Sequence, residues 1–432
     1  MKFYSTQMKS PTVGLGQAVM NGLAPDGGLY MPFRIPRLPN GFFKKANSMS
    51  FQDIAFEVSK NFFIPDLPKS ILVNIVQEAF NFSIPLVELD KQLYVLELFH
   101  GPTCAFKDFA ARFMARILGF FAEKLQQEIT IIVATSGDTG SAVAHGFLNV
   151  KGIKVVILYP SGKVSSLQEK QLTSMGENIT ALEVRGTFDD CQKLAKQAFV
   201  DGELKEKMTL ASANSINIAR LLPQSFYYVY LSAQLSMKGV PIAVSVPSGN
   251  FGNLTAGIIA KRMGAPIAKF IASTNSNDVV PRYLKTGTFQ PKPSVSTISN
   301  AMDVGNPSNF SRMLELYEND VRKMRDDIHG VSFSDVATRE ALLSVFKKYQ
   351  YTMDTHGAVA YLGLVDFMKK FKGYAGVFLE TAHPSKFFEE VEKVIGVPVS
   401  IPDRLKEYLD REKQAILLSN DFSEFKSFLL KL

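Results

Sequence analysis

Lys107 sits in HGPTCAFKDFAARF, residues 100–113, between Phe106 and the Asp108-Phe109 pair, with Ala105, Ala110 and Phe113 close by. Lysine is among the residues least often buried. Its ordinary place is the surface, with the stem lying flat and the ammonium in water. Here the lysine falls at the first turn of an expected helix whose apolar face is Phe106, Phe109, Ala110 and Phe113. Burial and the positive end of a helix both disfavour an ammonium, and that turns a lysine into a usable amine. Two loops add polar groups suited to a ligand. In VPSGNFGNLTAG, residues 246–257, Ser248, Gly249, Asn250, Phe251, Gly252 and Asn253 lie between an apolar run and a helical pattern. Glycines allow successive amides to point inward, and a helix start adds roughly half a positive charge, a combination suited to phosphate. In ATSGDTGSAVAHG, residues 134–146, Thr135, Ser136, Asp138 and Thr139 crowd around Gly137. Helix capping would use one or two of these side chains, and their density points to a held polar ligand.

Other chemistries find less support. The five histidines, at 100, 145, 329, 356 and 383, form no HExxH pair and no zinc spacing. No GxSxG elbow occurs, and no lysine follows the 248–253 loop in the GK[ST] manner of a nucleoside-triphosphate site. VGLGQAV, residues 13–19, begins like GxGxxG but lacks the last glycine and an expected preceding strand. An amine nucleophile beside a phosphate cradle points to pyridoxal phosphate, which needs an imine at one end and a phosphate pocket at the other.

The elements that would position these groups are readable as alternation. Short, nearly uncharged runs, ITIIVAT (129–135), KVVILYP (154–160), PIAVSVP (241–247), KFIAST (269–274) and GVFLET (376–381), alternate with helical patterns. Runs apolar throughout suit strands buried on both faces, hence a parallel sheet with helices on each side. Three of them pass straight into a polar loop and a helix, and ligands of open α/β sheets bind at such carboxyl ends. Asp335 ahead of VATREALLSVF and Asp421 near the last helix read as caps.

The totals narrow the class. A chain of 432 residues, 46 % hydrophobic and 21 % charged, supports two or three packed units. The opening residues show no secretory pattern, and no apolar stretch approaches the roughly 18 residues that cross a bilayer. Cys104 and Cys191 lack metal spacing and allow at most one disulfide, which fits a cytoplasmic enzyme. The net charge of +7 is scattered, without a basic tract interleaved with aromatics, so neither nucleic acid nor membrane is an expected partner. A small anionic substrate suits the mild positive excess.

Seven stretches in order, NGLAPDGGLYMP, LELFHGPTCAFKDFAARFM, ATSGDTGSAVAHGF, SANSINIAR, SVPSGNFGNLTAG, NAMDVGNPSN and ETAHPSKF, resemble segments of the threonine synthase family. These are pyridoxal-phosphate enzymes of fold type II, here in the longer form with an extra N-terminal domain. The resemblance implies an α/β fold of two open, mostly parallel sheets flanked by helices, plus a mainly helical N-terminal domain. It implies conversion of O-phospho-L-homoserine and water to L-threonine and phosphate. Carried over by position, Lys107 is the lysine bonded to the cofactor and the base at Cα and Cβ. Gly249, Asn250, Phe251 and Gly252 hold the cofactor phosphate, flanked by Ser248 and Asn253, and Thr381 meets the pyridine nitrogen. Ser136, Gly137, Asp138 and Thr139 close on the substrate carboxylate and the cofactor's 3′ oxygen. Asn214, Ser215 and Arg220 receive the substrate phosphate, for which the planar guanidinium is suited.

Two positions depart from the pattern. Many relatives in the wider fold carry Asn where Asp138 stands, and a carboxylate beside a phenolate oxygen is repulsive. Either Asp138 is protonated or it lies away from that oxygen. Cys104 stands where a plain aliphatic residue is expected and reads as packing. The expected units are an N-terminal domain over 1–95, a large cofactor-binding domain over 96–125 and 236–432, and a small domain over 126–235. Interfaces are not marked, which leaves monomer and homodimer open. A serine/threonine dehydratase of the same fold is the alternative enzyme, and a cofactor-bearing sensor without turnover is the alternative of another class.

Overall fold

A computed structural model describes residues 1–64 and 66–432. Two parallel sheets dominate it. The larger has six strands in the order Ile328–Ser332, Ile267–Thr274, Ile242–Pro247, Ala375–Glu380, Leu93–Glu97 and Leu86–Asp90. Its strands run parallel except for the last pair, a hairpin. The smaller has five parallel strands in the order Ile416–Leu418, Ile179–Val184, Ile153–Pro160, Ile129–Ala134 and Thr209–Ser212. The central strands Ile129–Ala134, Ile242–Pro247 and Ala375–Glu380 are buried at every residue. That is why their sequences are apolar without alternation: helices cover both faces. All five expected strands form.

The N-terminal region carries the helices Leu15–Asn21, Phe42–Ala46, Phe51–Phe63 and Lys69–Ala79. It also holds a three-stranded antiparallel sheet of Lys2–Ser5, Val13–Gly14 and Tyr30–Pro32, so it is not helical alone. A short strand therefore does precede the helix of VGLGQAV, contrary to expectation. It pairs with Lys2–Ser5.

The expected unit borders cross two strands. Leu93–Glu97 and its hairpin partner, which fall largely within the expected N-terminal domain, pair into the six-stranded sheet. Ile416–Leu418, expected with the large domain, pairs with Ile179–Val184 of the smaller sheet. Phe425 and Leu429 of the final helix pack there with Leu194 and Ala198. Capping differs at one helix. Ser334, not Asp335, caps Asp335–Tyr349, accepting from the Ala337 amide, whereas Asp421 does cap Phe422–Leu429. Among the described residues no helix is long and apolar enough to cross a membrane.

Candidate active site

Four strand ends, two from each sheet, open onto one cavity of about 760 Å³. The loops after Ile242–Pro247 and Ala375–Glu380 come from the larger sheet, and those after Ile129–Ala134 and Thr209–Ser212 from the smaller. Lys107, Ser136, Asp138, Thr139, Asn214, Ser215, Arg220, Gly249, Asn250, Phe251, Gly252, Asn253 and Thr381 all line it. Of the expected site residues, Ser248 and Gly137 do not reach the lining. The Ser248 hydroxyl donates to the Val246 carbonyl at 2.9 Å and closes the strand end. Gly137 shapes its loop at φ 138°, where a Cβ would sit 2.7 Å from the Gln168 side chain.

Lys107 is the first residue of the helix Lys107–Leu125. Its strand-side neighbour Phe106 donates its amide to the Thr381 carbonyl at 2.8 Å, and Ala105 bridges Ala382. This pairing sets Lys107 and Thr381 side by side on the wall. The Lys107 ammonium lies 4.5 Å from the centre of the Phe106 ring. The residue keeps part of its surface, turned to the cavity, and protein encloses the rest. Burial, and then repulsion from the Arg220 guanidinium, lower its pKa to about 8, with Asp138 acting in the opposite sense. An amine so placed is far more often free near neutral pH than a surface lysine.

The turn Ser248–Asn253 ends in Phe251, held in the left-handed region at φ 59°, and starts the helix Gly252–Arg262 with no side-chain cap on Phe251. Asn253 Oδ1 accepts from the Leu254 amide at 2.9 Å, so the donors this helix start can offer an anion are the amides before it, at Gly252 and Asn253. Gly249 faces the segment around Met302 so closely that a Cβ would stand 2.6 Å from the Met302 Cα. Asn250 bridges two neighbours: its Nδ2 donates to the Ser215 hydroxyl at 2.6 Å, and its Oδ1 accepts from the Ser308 amide at 2.6 Å.

Arg220 is 3 % exposed and brings a second cation to the cavity lining. Its Nη1 donates to the Ala213 carbonyl at 2.5 Å, while its buried Nε has no partner among the described residues. Burial lowers its pKa to about 10, which leaves it charged at neutral pH. Asn214 lines the cavity and also braces a neighbouring loop. Its Nδ2 donates to the Ala134 carbonyl at 2.7 Å and its Oδ1 accepts from the Ala134 amide at 3.2 Å. Both polar ends are engaged in holding the start of the 135–139 loop.

Asp138 is ionised and paired. Its Oδ1 accepts from Lys386 Nζ at 2.6 Å and from Gln168 Nε2 at 2.8 Å. Burial alone would raise this carboxyl, but the Lys386 ammonium and the two hydrogen bonds hold it below its usual range. Cys104 is fully buried and takes a hydrogen bond from Arg404 Nε at 2.9 Å, consistent with packing, and burial raises its thiol pKa.

Several contributing residues carry no role in the sequence reading. Lys386 lies inside ETAHPSKF, a stretch read for its family resemblance and for Thr381. His356 lines the cavity; its Nε2 accepts from the Ala301 amide at 3.2 Å and its Nδ1–H donates to Asp354 at 2.7 Å. Arg312, fully buried, donates to the carbonyls of Ser215, Ile216 and Tyr30 and to Asn309 Oδ1. Asn309 in turn donates to the Ser215 hydroxyl at 3.1 Å. Lys386 and Asn309 lie in stretches whose sequence signal was their family resemblance, whereas His356 and Arg312 lie outside all seven.

The donor set fits pyridoxal phosphate. An uncapped helix start can take its phosphate, an enclosed amine can take its aldehyde carbon, and the Thr381 hydroxyl stands on the same wall. Comparison with known proteins agrees. Residues 78–379 match the family described as pyridoxal-phosphate dependent enzyme. Residues 2–80 match the threonine synthase N terminus and 358–429 its C-terminal part. A threonine synthase of Haemophilus influenzae is 46 % identical over the full length of both chains. The crystal structure of threonine synthase from Escherichia coli is 42 % identical, with a TM-score of 0.93 and full coverage of both chains. A threonine synthase from Brucella melitensis solved with PLP bound is 33 % identical, with a TM-score of 0.93, and covers 99 % of this chain and 98 % of that one. The chain belongs to the threonine synthase family of pyridoxal-phosphate-dependent enzymes.

Proposed function

We propose that this enzyme converts O-phospho-L-homoserine and water to L-threonine and phosphate. The observation that carries the reading is the pair of anion-binding groups flanking one amine in a single cavity. The uncapped start of Gly252–Arg262 is one, and the buried Arg220 with its unpartnered Nε is the other. A simple dehydratase of serine or threonine needs only the first. Here a substrate phosphate gives the second its purpose.

Pyridoxal phosphate, when bound, supplies an electron sink that makes the substrate's Cα and then its Cβ protons acidic. Gly249, Asn250, Phe251 and Gly252 would hold its phosphate, flanked by Asn253, with Ser248 shaping the turn from behind. Thr381 would meet its ring nitrogen and Lys107 its aldehyde carbon. Ser136, Gly137 and Thr139 belong to the loop that would hold the substrate carboxylate. Asn214, Ser215 and Arg220 would receive the substrate phosphate, Asn214 also bracing the start of the 135–139 loop. The Lys107 amine would take the proton from Cα, hand it on within the conjugated system that the cofactor supplies, and so be free again to take a proton from Cβ. Arg220 stabilises the phosphate as its bond to Cγ breaks. Water then gives its hydroxyl to Cβ and its remaining proton to the released phosphate, while Lys107 would return one proton to Cγ and one to Cα.

The test is product analysis on the purified protein with pyridoxal phosphate and O-phospho-L-homoserine. Threonine and phosphate in equal amounts support the reading. Phosphate with a 2-oxo acid would replace it with a lyase, and bound cofactor without any product would replace it with a binding protein. The reading includes a cytoplasmic enzyme working as monomer or homodimer, which light scattering decides between.

A further inference from the structure

Asp138 and Lys386 come from opposite halves of the molecule. Asp138 opens the helix that follows Ile129–Ala134 of the smaller sheet, and Lys386 follows Ala375–Glu380 of the larger. Their charged atoms stand 2.6 Å apart, with the Lys386 side chain fully buried and that of Asp138 7 % exposed. Lys386 also donates to the Thr103 carbonyl at 3.0 Å. A buried ion pair is poor value as a mere fastener. Removing both partners from water costs about as much as their attraction returns, and an apolar or neutral pair of the same shape does as well. The charges therefore call for another reason.

Their surroundings supply it. Asp138 lines the cavity and acts on Lys107, raising its affinity for a proton, while Arg220 lowers it. Gln168 and His356 face Asp138 as well. Asp108 feels the Lys386 charge from the other side. An aspartate alone in the 135–139 loop would put a full negative charge on the cavity lining that also carries the amine. Lys386 offsets it. The pair thus comes closer to the neutral wall that an asparagine would present, while tying the loop to the opposite half of the molecule.

We propose that Lys386 is a positioning residue for Asp138, and that the two act as one unit which fixes the 135–139 loop and sets the proton affinity of the linkage at Lys107. This rests on Lys107 carrying the cofactor.

The experiment follows the visible absorption of the cofactor-loaded enzyme through a pH titration, together with the cofactor dissociation constant. Lys386→Met should move the spectral midpoint up by about one pH unit and Asp138→Asn down by about as much, since one variant strips a positive charge and the other a negative. Each should weaken cofactor binding by about tenfold or more, and the double variant should recover most of that loss. Lys386→Arg should keep the wild-type midpoint. Midpoints that move together or not at all, or a double variant with the summed loss of affinity, would overturn the proposal. If a single variant does not fold, the double variant and Lys386→Arg decide: a double variant that binds cofactor poorly overturns it. A wild-type visible band that persists in Lys107→Met would instead remove the assignment of Lys107, a distinguishable failure.

Discussion

Lys107 begins a helix at a point where an ammonium is held in an unfavourable place, and that fact has a consequence without any substrate. Its pKa in the folded protein is about 8 against 10.5 for an ordinary lysine. Below the lower value both folded and unfolded chains carry the proton, and the folded one bears the full penalty. Between the two values the unfolded chain binds more protons, so stability rises with pH. Cofactor-free enzyme should therefore gain stability from pH 8 to 10.5, by about 2–3 kcal/mol. Lys107→Met should flatten that rise and abolish turnover, as denaturant titration across pH and a product assay would report. Arg220 makes the complementary prediction. Replacing it with Ala should raise the KM for O-phospho-L-homoserine about a hundredfold, for loss of a charge-assisted phosphate contact worth roughly 2–3 kcal/mol. Cofactor affinity should stay within a few-fold. A cofactor-free Arg220→Ala protein would show that the two anion sites have been exchanged.

At the scale of elements, the cofactor turn is as much a packing device as a donor array. Gly249 has no room for a side chain: a Cβ would come within 2.6 Å of the Met302 Cα and 2.9 Å of the Ala301 carbonyl oxygen, both backbone atoms that cannot swing aside. Gly249→Ala should therefore displace the turn or the 300–302 segment. The expected result is about a tenfold loss of cofactor affinity, measured by spectral titration, with thermal stability of the cofactor-free protein lowered less than affinity. The sequence pointed to this turn because an uninterrupted apolar run feeds it, and the same signal exposed the strands at 129–134 and 375–380. It could not expose the segment that confronts Gly249. Asn300–Met302 has no periodic pattern, and its closeness to Gly249 arises only when the chain folds. Ser334 was passed over for Asp335 because both are good caps and stand side by side; the helix begins at the aspartate, so the serine lies at the boundary. Lys386 was illegible for a related reason. A single lysine after a proline and a serine says nothing until Asp138 is found 2.6 Å away.

Across the whole molecule the parallel architecture was readable and its borders were not. Buried strands announce themselves by composition, but Ile416–Leu418 has three residues and adds to the smaller sheet from the far end of the chain. Only tertiary pairing reveals that. The same holds for the N-terminal region, which is tied to the site by a fully buried arginine and by a buried asparagine. Arg312 donates to the Tyr30 carbonyl on one side and to the Ser215 and Ile216 carbonyls on the other, with no carboxylate among its hydrogen-bond partners. Asn217 adds a second tie, its Nδ2 donating to the Val19 carbonyl at 2.8 Å. The strand Tyr30–Pro32 and the helix Leu15–Asn21 thus hold the loop that carries Ser215 and leads to Arg220. Replacing Arg312 with Met removes a cation that burial already disfavours, which is a gain, but it leaves buried carbonyls without donors at about 1–3 kcal/mol each. The second effect is larger because several acceptors share the one guanidinium. Arg312→Met should lower stability by about 3 kcal/mol or more. In the fraction that folds, the KM for O-phospho-L-homoserine should rise more than cofactor affinity falls, because the Ser215 loop loses its backing while Lys107 and the Gly252 helix start keep theirs. Equal losses of substrate and cofactor affinity would mean that the N-terminal region supports the fold as a whole and not the substrate loop in particular.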